Sequence, residues 1–142
     1  MAAEAIFFPA IAMFLLTMSV FLLMGYSRYR ATATREMDAR YYELYNQGEE
    51  TPRLRQISRH VHNHFEVPPL FYAVVIIFYV TGQVTPLAVG LAWAFVALRL
   101  VHTLVHLGGN VVIRRFMVFI ASFSVLAVMW LYLLVRLLGA SA

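Results

Sequence analysis

The sequence predicts an all-α integral membrane protein, a bundle of four transmembrane helices. Three observations carry that expectation. Hydrophobic residues fill 62% of the 142 positions and mean hydropathy is +0.75, whereas a soluble domain is about 45–50% apolar. Four runs supply the roughly 20 apolar residues a helix needs to cross a hydrocarbon core about 30 Å thick. The charges gather mostly between those runs: eleven basic residues, all arginine, against seven acids, for a net charge of +4. The chain, residues 1–142, reads as one transmembrane domain. Cysteine is absent, so any thiol chemistry needs a thiol supplied from outside.

The first span is expected at about residues 6–26. It is not read as a cleaved signal, because Glu4 precedes it while Arg28 and Arg30 follow it. The loop 27–58 then carries Arg28, Arg30, Arg35, Arg40, Arg53 and Arg55, interleaved with acids. Within it, Met37, Tyr41, Leu44 and Tyr45 fall at helical spacing and predict a short amphipathic helix ending near Gly48. Thr51 followed by Pro52 is a helix start, an N-cap with proline at the first helical position. The second span is therefore expected to begin in the loop and to enter the membrane over about 59–81, kinked at Pro68 and Pro69. A chargeless turn, TGQVTP, leads to the third span at about 86–107, and the fourth follows at about 111–138. Arg114 and Arg115 open it. The positive-inside rule puts the first and third loops in the cytoplasm and both termini outside, with Arg136 as the one exception. The expected location is a bacterial inner membrane.

Polar side chains interrupt the second and third spans. At 100° per residue, Arg59, His62, Asn63 and Glu66 share one helix face, while His60 and His64 point elsewhere. Arg99, His102 and His106 share a face of the third span. Ionisable groups in a span normally face a bundle interior or a wet cavity, with a partner. Glu66 is the one acid within spans two to four, and Arg99 is its expected partner. The surplus of Arg59, Arg99 and Arg115 over Glu66 calls for an anion. The residues thus point to a cytoplasm-facing pocket for a small ligand bearing carboxylates. The histidine spacings also admit a metal, since His102 and His106, like His60 and His64, stand at i, i+4. The neighbouring arginines repel a dication, so no metal ligand is assigned from sequence.

The stretch R-x-x-x-N-x-x-E at Arg59, Asn63 and Glu66, followed by proline and an apolar run, resembles the second helix of the MAPEG proteins, the membrane-associated proteins in eicosanoid and glutathione metabolism. R-x-x-H-T-x-x-H-L-G from Arg99 to Gly108, then Arg115, is similar to their third helix and the start of the fourth. The resemblance covers essentially the whole chain. It implies a homotrimer of four-helix protomers in contact with membrane lipid, with glutathione bound between protomers near the cytoplasmic side. The positions matching the family's glutathione site are Arg59, Asn63, Glu66, His102 and Arg115, with His62, Arg99 and His106 alongside. Arg115 matches the arginine that stabilises the thiolate, the catalytic role in those enzymes. Phe116, Phe119, His106 and His62 stand where relatives carry serine, tyrosine, tyrosine and arginine.

The resemblance implies a glutathione-dependent transferase or peroxidase acting on a hydrophobic small molecule. The lost hydroxyls keep two alternatives open: a non-catalytic lipid-binding or scaffold subunit of a membrane assembly, and a histidine-based metal or haem site. The loop arginines read as topology determinants. No nucleotide loop, nucleophile triad or nucleic-acid patch is present.

Overall fold

In the computed structural model, which describes residues 2–44 and 49–140, a short 3-10 turn at Ala3–Ile6 leads into six helices. These are α1 (Phe7–Ala33), α2 (Tyr41–Leu44), α3 (Pro52–Glu66), α4 (Pro68–Val80), α5 (Pro86–Leu107) and α6 (Val112–Ala140). Among the described residues there is no strand. Four stretches are long and apolar enough to cross a membrane: Ala3–Ala33, Pro52–Val80, Pro86–Leu107 and Val112–Ala140.

Capping residues set where the helices begin. Thr51 Oγ1 accepts from the Leu54 amide at 3.3 Å, and Pro52 occupies a position whose N–H would be unsatisfied anyway. Thr85 and Pro86 repeat the device at the start of α5, with a 3.1 Å bond from the Ala88 amide. The end of α5 is set by space: a Cβ at Gly108 would lie 2.7 Å from the Leu104 carbonyl oxygen. Gly108→Ala is accordingly expected to destabilise the protein by about 1–3 kcal/mol, the usual cost of forcing an extra carbon into packed structure. A lowered thermal midpoint in detergent measures it.

The kink expected in the second span is a break. α3 ends at Glu66 and α4 starts at Pro68, with Val67 between them. Two successive prolines remove two amide donors, so the carbonyls one turn earlier lose their helical partners. The last α3 bond, from the Val67 amide to the Asn63 carbonyl, is stretched to 3.5 Å.

The apolar core lies beyond this break. Met13 of α1, Phe71, Val74 and Phe78 of α4, Ala88, Ala92 and Phe95 of α5, and Leu126, Met129 and Leu133 of α6 are all buried there. The Phe71 and Phe95 rings stack with centroids 4.5 Å apart. Small residues on α5 let the helices approach closely. The outward faces stay apolar, with Leu15 and Leu22 of α1 and Met117, Val128 and Leu131 of α6 exposed, as a lipid-facing surface requires.

A second small core ties the first loop down. Met37 packs with Ala31 and Leu54, against Tyr41 and Tyr42. The amphipathic helix expected from Met37 to Gly48 is shorter than predicted at its start. Met37 precedes α2, which spans Tyr41–Leu44, and Tyr45 and Gly48 lie outside the described residues. A turn with Arg35 at positive φ (58°) and Asp38 accepting the Arg40 amide at 2.9 Å intervenes. Some loop arginines are also structural. Arg28 bonds Glu50 and Ser58 at 3.4 Å each, and Arg55 pairs with Glu49 at 2.7 Å.

The loop before α3 and the α5–α6 turn share one end of the bundle. Arg53 Nη1 donates to the Leu107 carbonyl and Gln56 Nε2 to the His106 carbonyl, so α3 caps the C-terminus of α5. Arg136, the charge against the topology trend, lies at the other end and donates to Gln83 at 3.0 Å.

Candidate functional site

At the arginine-rich end, α3, α5 and α6 enclose a cleft of about 680 Å³. Its polar lining is Arg59, His62, Asn63 and Glu66 from α3, His102 and His106 from α5, and Arg115 from α6. Seven of the eight side chains picked out in the sequence therefore converge on one cavity. The α3 residues do so because i, i+3, i+4 and i+7 lie on one helical face. Val112, Ile113, Phe116 and Phe119, from the first turns of α6, form an apolar wall opposite. A smaller recess of about 160 Å³ continues from it, sharing Arg59, His106 and Arg115 and adding Gln56 and Asn110.

Arg99 is the exception. It is fully buried behind the cleft and does not line it. Its Nη2 donates to the Asn63 carbonyl at 3.0 Å and to Asn63 Oδ1 at 2.7 Å. The expected Glu66–Arg99 pair is thus corrected: Arg99 is held by Asn63, while Glu66 is exposed and forms no ion pair among the described residues. The reason lies in reach. The Asn63 carbonyl, whose bond from the Val67 amide is long at 3.5 Å, and the Asn63 side-chain oxygen both lie within hydrogen-bonding distance of the buried guanidinium, which needs acceptors. A sequence pattern sees complementary charge; it does not see which oxygen a buried guanidinium reaches.

This contact also orients Asn63. A guanidinium only donates, so the amide oxygen must face Arg99, which turns the NH₂ group away and leaves it available as a donor. Arg115 is held in turn by Asn110, whose Oδ1 accepts from Nη1 at 2.8 Å. Asn110 sits at φ 47°, in the left-handed region that asparagine tolerates. Sequence reasoning missed Asn110 and Gln56. The pair Gly108–Gly109 before Asn110 signals a turn, but nothing in the pattern connects that turn to Arg115.

His60 and His64 leave the α3 polar face, as their spacing predicts, and are buried in the bundle interior. His60 Nδ1 lies 3.1 Å from His106 Nδ1, and His60 Nε2 lies 3.0 Å from Thr103 Oγ1. His64 Nδ1 bonds Thr17 Oγ1 of α1 at 3.0 Å.

Chemically, the cleft offers two guanidiniums, an oriented amide, imidazoles and one carboxylate, beside an apolar wall. It suits a zwitterionic ligand with more negative than positive charge, next to an apolar one. The family model of the MAPEG family matches residues 6–135. The chain belongs to the MAPEG family. No curated protein and no solved structure gives a significant match. As a MAPEG protein with four span-capable helices it is an integral membrane protein. Membership places it in a family associated with glutathione and eicosanoid metabolism, and its cleft is formed by the residues on which the family resemblance rests.

Proposed function

We propose that this MAPEG protein binds glutathione in the α3–α5–α6 cleft and uses it as a transferase or peroxidase on a hydrophobic substrate drawn from the bilayer. The observation that carries the reading is the convergence of Arg59, Asn63, Glu66, His102 and Arg115 on one cavity with an apolar wall. Arg59 and His62 face the peptide carboxylates, and the Asn63 amide donates alongside them. Glu66, exposed to the cleft and forming no ion pair with Arg99, receives the γ-glutamyl ammonium. Arg115 lies toward the sulfur, where a cation favours the thiolate, the nucleophilic form. An electrophile or hydroperoxide resting on Val112, Ile113 and Phe116 then meets the thiolate from the membrane side. In the transferase reaction a C–S bond forms as the leaving group departs. In the peroxidase reaction two glutathiones form a disulfide while the hydroperoxide becomes an alcohol and water.

Arg59, His62, Glu66 and Phe116 are exposed in the single chain, which supports closure of the cleft by a neighbouring protomer in a homotrimer. The arginine-rich end is assigned to the cytoplasm of a bacterial inner membrane.

Calorimetric titration of glutathione into the detergent-solubilised protein tests the reading. Saturable binding is expected. Absence of binding at millimolar glutathione would discard it. The phenyl groups of Phe116 and Phe119 in the cleft wall favour a second reading, a lipid-presenting scaffold, in which a co-purifying lipid occupies the cavity.

A further inference from the structure

The interior behind the cleft holds four imidazoles. His60, His64, His102 and His106 are 0%, 2%, 2% and 5% exposed. Two come from α3 and two from α5, each pair one turn apart. Ring centroids of His60 and His106 are 4.6 Å apart, those of His60 and His102 5.5 Å, and those of His102 and His106 5.6 Å. No carboxylate bonds to any of them among the described residues. His60 and His64 do not line the cleft, so the cluster extends behind the cavity.

Proton bookkeeping shows what the cluster lacks. Thr103 Oγ1 donates to the Arg99 carbonyl at 2.9 Å, so it meets His60 Nε2, at 3.0 Å, as an acceptor. With its hydrogen on Nε2, which also lies 3.2 Å from His64 Nε2, neutral His60 keeps an unprotonated lone pair at Nδ1. That lone pair faces His106 Nδ1 at 3.1 Å. His102 Nδ1 and His106 Nε2 are buried with no hydrogen-bond partner. Buried ring nitrogens without partners are costly, and a Lewis acid shared among the rings supplies what they are missing.

The geometry is within reach of one. Single nitrogens of His60, His102 and His106 lie within 4.8 Å of one another. Tetrahedral zinc, with Zn–N of about 2.0–2.1 Å, sets its ligand nitrogens about 3.4 Å apart. The His60–His106 separation is already close to that, and rotation about the side-chain bonds brings in His102. The Thr103 hydroxyl on the far nitrogen of His60 is the outer contact that fixes the tautomer of a metal-bound histidine. A donor set of imidazoles alone, with neither carboxylate nor thiolate, selects late first-row metals over magnesium or calcium.

We propose that His60, His102 and His106 form a three-imidazole site for a zinc-class dication at the floor of the cleft. His102 and His106 also line the cleft, so the fourth coordination position opens into it, as in sites where the metal meets a water or an anion. Arg99 keeps its positive charge, because its partner Asn63 is neutral, so a bound dication needs an anion beside it. An anion attracted by Arg59 and Arg115 completes both the coordination and the charge balance.

The test is metal uptake by the folded protein. Purified protein is stripped with a chelator, equilibrated with Zn²⁺ and analysed for metal; Co²⁺ is added in parallel and its visible spectrum recorded. About one zinc per chain and tetrahedral cobalt bands are expected. His60→Phe, His102→Phe and His106→Phe are each expected to weaken uptake tenfold or more, whereas Arg136→Ala, at the other end of the bundle, retains it. Failure of the folded wild-type protein to take up either ion, or uptake unchanged in folded histidine variants, overturns the site. Because the wild-type measurement stands alone, a variant that fails to fold does not rescue the proposal.

Discussion

Arg115→Ala is expected to weaken glutathione binding by about 10- to 150-fold, the equivalent of the roughly 1.5–3 kcal/mol carried by a hydrogen bond to a charged group. Turnover should fall further, by about a hundredfold or more, because the lost cation also stabilises charge developing at the sulfur. The proposed homotrimer should survive. Arg115 is partly exposed at the start of α6, and its bond among the described residues is to Asn110 within its own turn. Titration calorimetry, a chromogenic-electrophile assay and native mass measurement separate the three effects. Undiminished binding or turnover in this variant would remove Arg115 from the thiolate role, even if wild-type glutathione binding held.

The second large effect distinguishes two residues that a charge pattern treats as alternatives. Asn63→Leu should destabilise the protein by about 1.5–3 kcal/mol, because it strips the side-chain acceptor from a fully buried guanidinium. Glu66→Gln should leave stability within about 0.5 kcal/mol of wild type, as expected at an exposed position whose side chain makes no hydrogen bond or ion pair among the described residues. It should weaken glutathione binding, since the ligand ammonium loses its counter-charge. Thermal unfolding in detergent checks both variants. A Glu66→Gln protein as damaged as Asn63→Leu would restore Glu66 as the partner of Arg99 and refute the hydrogen-bond assignment.

That pair of variants marks where sequence reasoning reached its limit. The membrane class was legible because burial in a bilayer demands long apolar runs, and such runs are visible one residue at a time. The start of α3 was legible because an N-cap is local: Thr51 with Pro52 acts within one turn. The convergence of Arg59, His62, Asn63 and Glu66 on one face followed from the helical period alone. The resemblance to the MAPEG family rested on those same residues, and the family match over residues 6–135 agrees with it.

Contacts between helices were not legible. The partner of Arg99 depended on how α3 and α5 pack, which brings Asn63 against a residue 36 positions further along the chain. The caps that Arg53 and Gln56 place on the end of α5 join residues about 50 positions apart. The gathering of His60, His102 and His106 combines two spacings that look separate in the sequence.

By itself, then, the sequence determined the all-α membrane class, the start of α3, the polar face of α3 and the family, because each is written in local composition or period. The tertiary structure alone decided that Asn63 rather than Glu66 holds Arg99, that His60 turns inward to meet His106, and that one cleft joins three helices. Those outcomes depend on which buried donors and acceptors come within hydrogen-bonding distance once the helices pack, and the spacing of residues along the chain carries no record of that distance.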